Sequence, residues 1–178
     1  IFAALSRRET FGTSGTRIRL RLFGGWGLPT ETPGDEAAFT RASQRAVPMG
    51  SDLPPAGDAR APTFLLFALK APDGAALDRA QIVKVWLDGD LPREQIVDVA
   101  TGSTDQGASQ LVAGWTDPDF DPRQRAVYYL RVLEVETPRW TTLLADRHGL
   151  PRPKGSAAMI RERAWSSPIW YTPVATAR

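Results

Sequence analysis

The sequence predicts a mainly β fold: an antiparallel, sandwich-like domain with an N-terminal helix–strand remnant of a second domain. Three observations predict it. Short apolar or alternating runs recur from residue 63 to residue 171, separated by turn residues. One earlier stretch, Thr16–Phe23, alternates strictly: Ile18, Leu20 and Leu22 take one side, and Arg17, Arg19 and Arg21 the other. Glycine and proline number 15 each among 178 residues, which favours short strands and irregular loops over a helical bundle.

Taken in order, residues 1–8 read as the end of a helix, with Ile1, Leu5 and Arg8 on one face and no capping residue before them. This predicts a helix cut from something longer. Glu9–Gly15 reads as a turn, and Thr16–Phe23 as a strand that Gly24 and Gly25 break. Residues 24–62 form a long connection, with a short helix over 35–45 and an extended piece at Val47–Gly50. Such long connections are often functional or domain-bridging. From residue 63 strands dominate. Thr63–Lys70 is apolar throughout and suits a strand buried on both faces. Ala80–Leu87, Gln95–Ala100, Ser109–Trp115 and Ala126–Val135 follow. Ser167–Tyr171 is an edge strand, because prolines at 168 and 173 remove ladder donors. Residues 140–163 read as irregular, with one helical turn over 142–147. The division expected is therefore 1–23, 24–62 and 63–178. Phe64, Leu66, Val83, Val85, Tyr128, Leu130 and Val132 are expected to be largely buried in one sheet system.

Composition narrows the function classes. Apolar residues make up 42% and charged residues 24%, values of a folded domain rather than a disordered one. The net charge is only +2, with basic residues interleaved among acids. The arginine face of 16–23 reads as solvated or ion-paired, and no nucleic-acid partner is expected. No run approaches the ~20 apolar residues that span a bilayer. The absence of cysteine excludes disulfides, thiolate zinc sites and a cysteine nucleophile. It leaves the compartment open, periplasmic or secreted as well as cytoplasmic.

No motif supplies a complete catalytic site. The single histidine, His148, cannot build a polyhistidine metal centre and reads as a surface residue. Asp117, Asp119 and Asp121 begin like a calcium loop. Pro122 then stands where that loop needs glycine, and Tyr128 where it needs glutamate, so the segment reads as a turn. No metal site and no cofactor are expected within the chain. No nucleophile elbow surrounds a serine, and no catalytic residue is assigned. Gly24–Gly27 lacks the residues of a phosphate loop. The six tryptophans share no spacing and read as core area rather than a sugar-binding face. The one candidate binding segment is Thr13, Ser14, Gly15, Thr16 and Arg17, whose amides and hydroxyls could face an anion. Its plainer reading is a tight helix-to-strand turn.

Five strings, in order, carry a family resemblance: RETFGTSGTRI over 8–18; VPMG over 47–50 with Asp52 and Leu53; QIVK over 81–84 with Trp86; WTDPDFDP over 115–122; and ERAWSSPIWY over 162–171. Together they resemble the C-terminal part of domain of unknown function 3604, over about residues 1–173. That resemblance implies a relation to the polymerase-and-histidinol-phosphatase metallohydrolases. On this implication, residues 1–23 are the last elements of a β/α barrel, and the metal-binding histidines lie upstream of Ile1. A divalent metal then belongs to the parent protein, and the barrel is this chain's missing partner. The function expected is the C-terminal region of a metal-dependent hydrolase-like protein, of phosphoesterase type, with a structural or site-shaping role. The alternative is a non-catalytic β-module that binds a ligand or another protein. Ile18, Leu20 and Leu22 need covering, by the barrel or by self-association through residues 16–23.

Overall fold

The structure is a computed structural model that describes residues 1–30, 36–56, 61–103 and 106–173. Its elements in chain order are α1 (Phe2–Ser6), β1 (Phe11–Thr13), β2 (Arg19–Trp26), α2 (Glu36–Ser43), β3 (Val47–Pro48), β4 (Pro62–Leu69), β5 (Leu77–Asp88), β6 (Leu91–Thr101), β7 (Gln110–Thr116), β8 (Ala126–Glu134), β9 (Thr137–Pro138), α3 (Trp140–His148), β10 (Met159–Ile160), β11 (Arg163–Ser166) and β12 (Ile169–Tyr171).

Two antiparallel sheets face each other across one core. The larger has the order β1-β11-β8-β5-β6, with β12 pairing β8 beyond β11; the smaller has the order β3-β2-β4-β7. Alternation decides which side chains enter the core. Ile18, Leu20 and Leu22 meet Phe64, Leu66 and Ala68 from the smaller sheet, and Ala80, Ile82, Tyr128, Leu130 and Val132 from the larger. The uninterrupted apolar run of β4 is buried on both faces, as its sequence predicts. Its other side, Leu65 and Phe67, packs with Leu28 and Phe39 beneath α2.

Several sequence expectations change here. The strand over 16–23 is not set apart from 63–178: β2 pairs with β4 from Arg19↔Leu69 to Trp26↔Pro62. Its leucines are covered by the facing sheet of the same chain, so no barrel and no second copy is needed to cover them. Gly24 and Gly25 do not break the strand. A Cβ on Gly24 would lie 3.0 Å from the Phe64 ring, and one on Gly25 3.2 Å from Leu28, so these glycines make room for neighbours. Val83 is fully buried as expected, whereas Val85 is only half-buried; both lie on the opposite side of β5 from Ile82. Residues 140–163 are more regular than expected: α3 spans nine residues and β10 pairs with β9.

α1 is short and buries none of its residues, but the chain that leaves it is anchored. Arg8 adopts φ +60° and turns the chain from α1 into β1. Its guanidinium lies 4.6 Å from the centre of the Trp170 ring. Gly50, at φ +88°, comes so close that a Cβ there would stand 2.3 Å from the Arg8 carbonyl oxygen. Gly50→Ala is therefore expected to unseat α1 and cost at least about 1–2 kcal/mol, the left-handed backbone penalty alone. Urea unfolding measures it.

Candidate functional site

The candidate segment at 13–17 joins β1 to β2. Thr13 is the last residue of β1, opposite Ala164, and Thr13, Ser14, Gly15 and Arg17 are exposed. An anion does face this segment, and it is the chain's own. The Ser14 hydroxyl donates to the Glu162 carboxylate and accepts from the Arg163 N–H at 2.9 Å. A Cβ on Gly15 would lie 3.1 Å from the same carboxylate. The segment is a strand-to-strand connection, not the helix-to-strand turn of its plainer reading, and it lies against Glu162. Arg17 takes no part in that contact and lines a shallow cleft with Thr13 and Pro72.

Behind the turn lies a second carboxylate that sequence reasoning did not single out. Glu134 ends β8 on its inner face and is 0% exposed. The Thr16 hydroxyl and the Ala75 amide hydrogen-bond to its carboxylate. Burial pushes the Glu134 carboxyl above the ordinary range; Glu162 adds to this, while Thr16, the Ala75 amide and Lys70 pull the other way. The alternation Tyr128, Leu130, Val132, Glu134 was the available signal for this inward position.

A second polar cluster sits within the core. Asp117, fully buried, accepts from Lys84 Nζ at 2.6 Å, from the Tyr128 hydroxyl at 2.7 Å and from the Asp119 N–H at 3.0 Å. Lys84 Nζ also donates to the Asp119 carbonyl at 2.8 Å. Burial, then the Asp117 charge, raises the Tyr128 hydroxyl far above its usual pKa. Every member is satisfied from within the chain, so the cluster fixes the 117–121 turn against the sheet. That turn is what the broken calcium pattern predicts: the Asp121 carboxylate accepts from the Arg123 N–H at 2.9 Å. Among the described residues, no group of three or more His, Asp or Glu side chains gathers as a metal would need. His148 is exposed in the last turn of α3.

A cleft of about 670 Å³ opens on the outer face of the larger sheet. Val85, Leu87 and Val127 line it together with Arg125 and with Arg123, which is ion-paired to Asp121 at 3.1 Å. None of the residues singled out at 13–17 lines it.

The sequence pattern of the family described as Protein of unknown function (DUF3604) matches residues 1–106 and 97–173. The chain belongs to this family. For the DUF3604 chain, no curated protein and no solved structure matches. No helix among the described residues of this DUF3604 chain is long and apolar enough to cross a membrane.

Proposed function

We propose that the chain is a non-catalytic β-sandwich module that supports a metal-dependent, hydrolase-like unit of phosphoesterase type and helps shape the mouth of its site. The observation that carries this reading is the outward face of α1. Phe2 and Leu5 are 84% and 60% exposed, on a helix that buries none of its own residues and runs into the Arg8–Gly50 contact. Covering such side chains is worth roughly 1.5–3 kcal/mol each, so an uncovered apolar face of this kind suits a neighbouring unit. The relation to metallohydrolases that the family resemblance implies would give that neighbour its chemistry.

The test is an assay of the intact parent protein on phosphate esters, with and without added divalent metal, repeated with Phe2→Glu and Leu5→Glu. Metal-dependent turnover that falls in the variants supports the proposal. Turnover indifferent to metal, or unchanged by both substitutions, sinks it. A second reading, a ligand-binding module, draws on the cleft over Val85 and Val127. Arg125 beside it suits an amphipathic carboxylate, and Arg125→Glu would weaken such binding without touching turnover.

A further inference from the structure

The chain presents a second apolar face, on α3. Trp140, Leu143 and Leu144 are 70%, 56% and 46% exposed. In a helix, positions i, i+3 and i+4 form one stripe, and Arg147 continues it at i+7. Thr142 and Ala145 lie on the other side and are buried. The Thr142 hydroxyl donates to the Ala158 carbonyl at 2.8 Å, which holds that side inward. Gly149, at φ +62°, ends the helix, and the Leu150 N–H donates back to the Ala145 carbonyl at 2.9 Å. Leu150, 58% exposed, is thereby fixed at the end of the stripe.

Positive charge gathers at the same place. Residues 139–154 hold four basic side chains, Arg139, Arg147, Arg152 and Lys154, and one acidic, Asp146. The segment is net +3 in a chain of net +2, so the rest of the chain is net −1. Asp146 is taken up by Arg152 at 3.1 Å, and Arg147 and Lys154 are exposed. The apolar side chains line neither the cleft over Val85 and Val127 nor the one beside Arg17; they project from the helix and the turn after it. This face is also distinct from that of α1. The chain leaving α1 meets the sandwich at Trp170, opposite Val127 near the start of β8. α3 is reached through β9 from the other end of β8, at Glu134. At ~3.3 Å per residue those two ends are roughly 20 Å apart, so a unit seated on α1 does not thereby cover α3.

We propose that α3 and the turn after it dock the protein on an anionic membrane surface. Trp140, Leu143, Leu144 and Leu150 enter the interfacial layer, and the basic residues around them meet anionic headgroups. Projecting apolar side chains with a basic surround are the chemistry of a helix that lies in the membrane surface without spanning it. Arginine and lysine bury their stems in that layer while their charges stay at the headgroups, and tryptophan settles at the same depth. A lipid surface yields around projecting side chains and needs no matching groove. The docking site is independent of the function proposed above.

Co-sedimentation of the chain with phosphatidylcholine vesicles, with and without phosphatidylglycerol, tests it. Binding to the anionic vesicles alone is expected, and added salt is expected to weaken it. Trp140→Ser leaves the charge unchanged and is expected to weaken binding at least about tenfold. Arg147→Ala and Lys154→Ala are each expected to weaken it roughly fivefold. All three positions are exposed, and far-UV circular dichroism checks that the variants fold as the original chain does. Leu91→Ser alters a leucine that is 61% exposed on a different element, β6, and is expected to change nothing. No binding to anionic vesicles overturns the proposal and assigns the face to a protein partner. Equal binding to both kinds of vesicle also overturns it. So does binding that Trp140→Ser leaves intact, which is adsorption by charge alone, or binding that Leu91→Ser weakens as much as Trp140→Ser does.

Discussion

Asp117→Ala is expected to lower folding stability by about 3–5 kcal/mol, the cost of leaving a buried charge without its partner. Lys84 is 4% exposed and Asp117 0%, so water cannot replace the lost carboxylate without opening the core. The Tyr128 hydroxyl and the Asp119 N–H lose their acceptor in the same substitution. Lys84 keeps only the Asp119 carbonyl and the faces of Trp86 and Tyr128, whose ring centres are 5.4 and 5.9 Å away. The double variant Lys84→Met with Asp117→Leu is expected to recover most of the loss, because an apolar replacement of a buried ion pair is often neutral or better. Urea midpoints for the two single variants and the double variant measure the coupling. A loss below about 1 kcal/mol in Asp117→Ala, short of the usual range for a broken buried pair, would mean that solvent reaches Lys84.

Leu130→Ala is expected to cost about 2–5 kcal/mol, the range for a fully buried leucine whose cavity cannot collapse. Leu130 is 0% exposed at the centre of β8, packed between the sheets. Its surroundings are stiff because the ladder changes partners there. Arg131 pairs with Trp165 on β11, while Tyr128 pairs with Ile169 on β12. The Leu130 N–H meets the Ser166 hydroxyl at 2.9 Å in the gap between them. Denaturant unfolding followed by tryptophan fluorescence reads the loss. A cost under about half a kilocalorie, far below that of a buried leucine, would place Leu130 outside the core.

Much of this architecture follows from local pattern. The runs that became β4 and β8 are long and strongly apolar, so their strand character could be read directly. β11 could not be read so easily. Its inward residues are Ala164 and Ser166 and its outward ones Arg163 and Trp165, so the usual apolar signal is reversed. It is a strand because β8 and β1 pair with it on either side. The glycines at 24 and 25 look like a strand end in sequence, since the aromatic and aliphatic neighbours that need their space come from other elements. The candidate turn at 13–17 was visible as a run of hydroxyls and glycines. The carboxylate that Ser14 meets was not, because Glu162 lies 148 residues beyond Ser14. The two inward charges were within reach of the alternation rule: Glu134 follows Leu130 and Val132 at intervals of two, and Lys84 follows Ala80 and Ile82 in the same way. The rule identifies the face. It says nothing of how a charge on that face is compensated, which depends on contacts distant in sequence.

The central place of β8 has a consequence for the order in which the protein can assemble. The smaller sheet has all its strands once residue 116 has left the ribosome. The larger sheet cannot close until β11 and β12 emerge, since both lie along one flank of β8 and β1 pairs only with β11. Throughout that interval the backbone edge of β8 that later pairs with β11 and β12 has no partner strand. Such edges invite pairing with other chains. The nascent protein is therefore most vulnerable to aggregation between the synthesis of residue 134 and that of residue 171, and delay in that window would harm yield more than delay earlier in the chain.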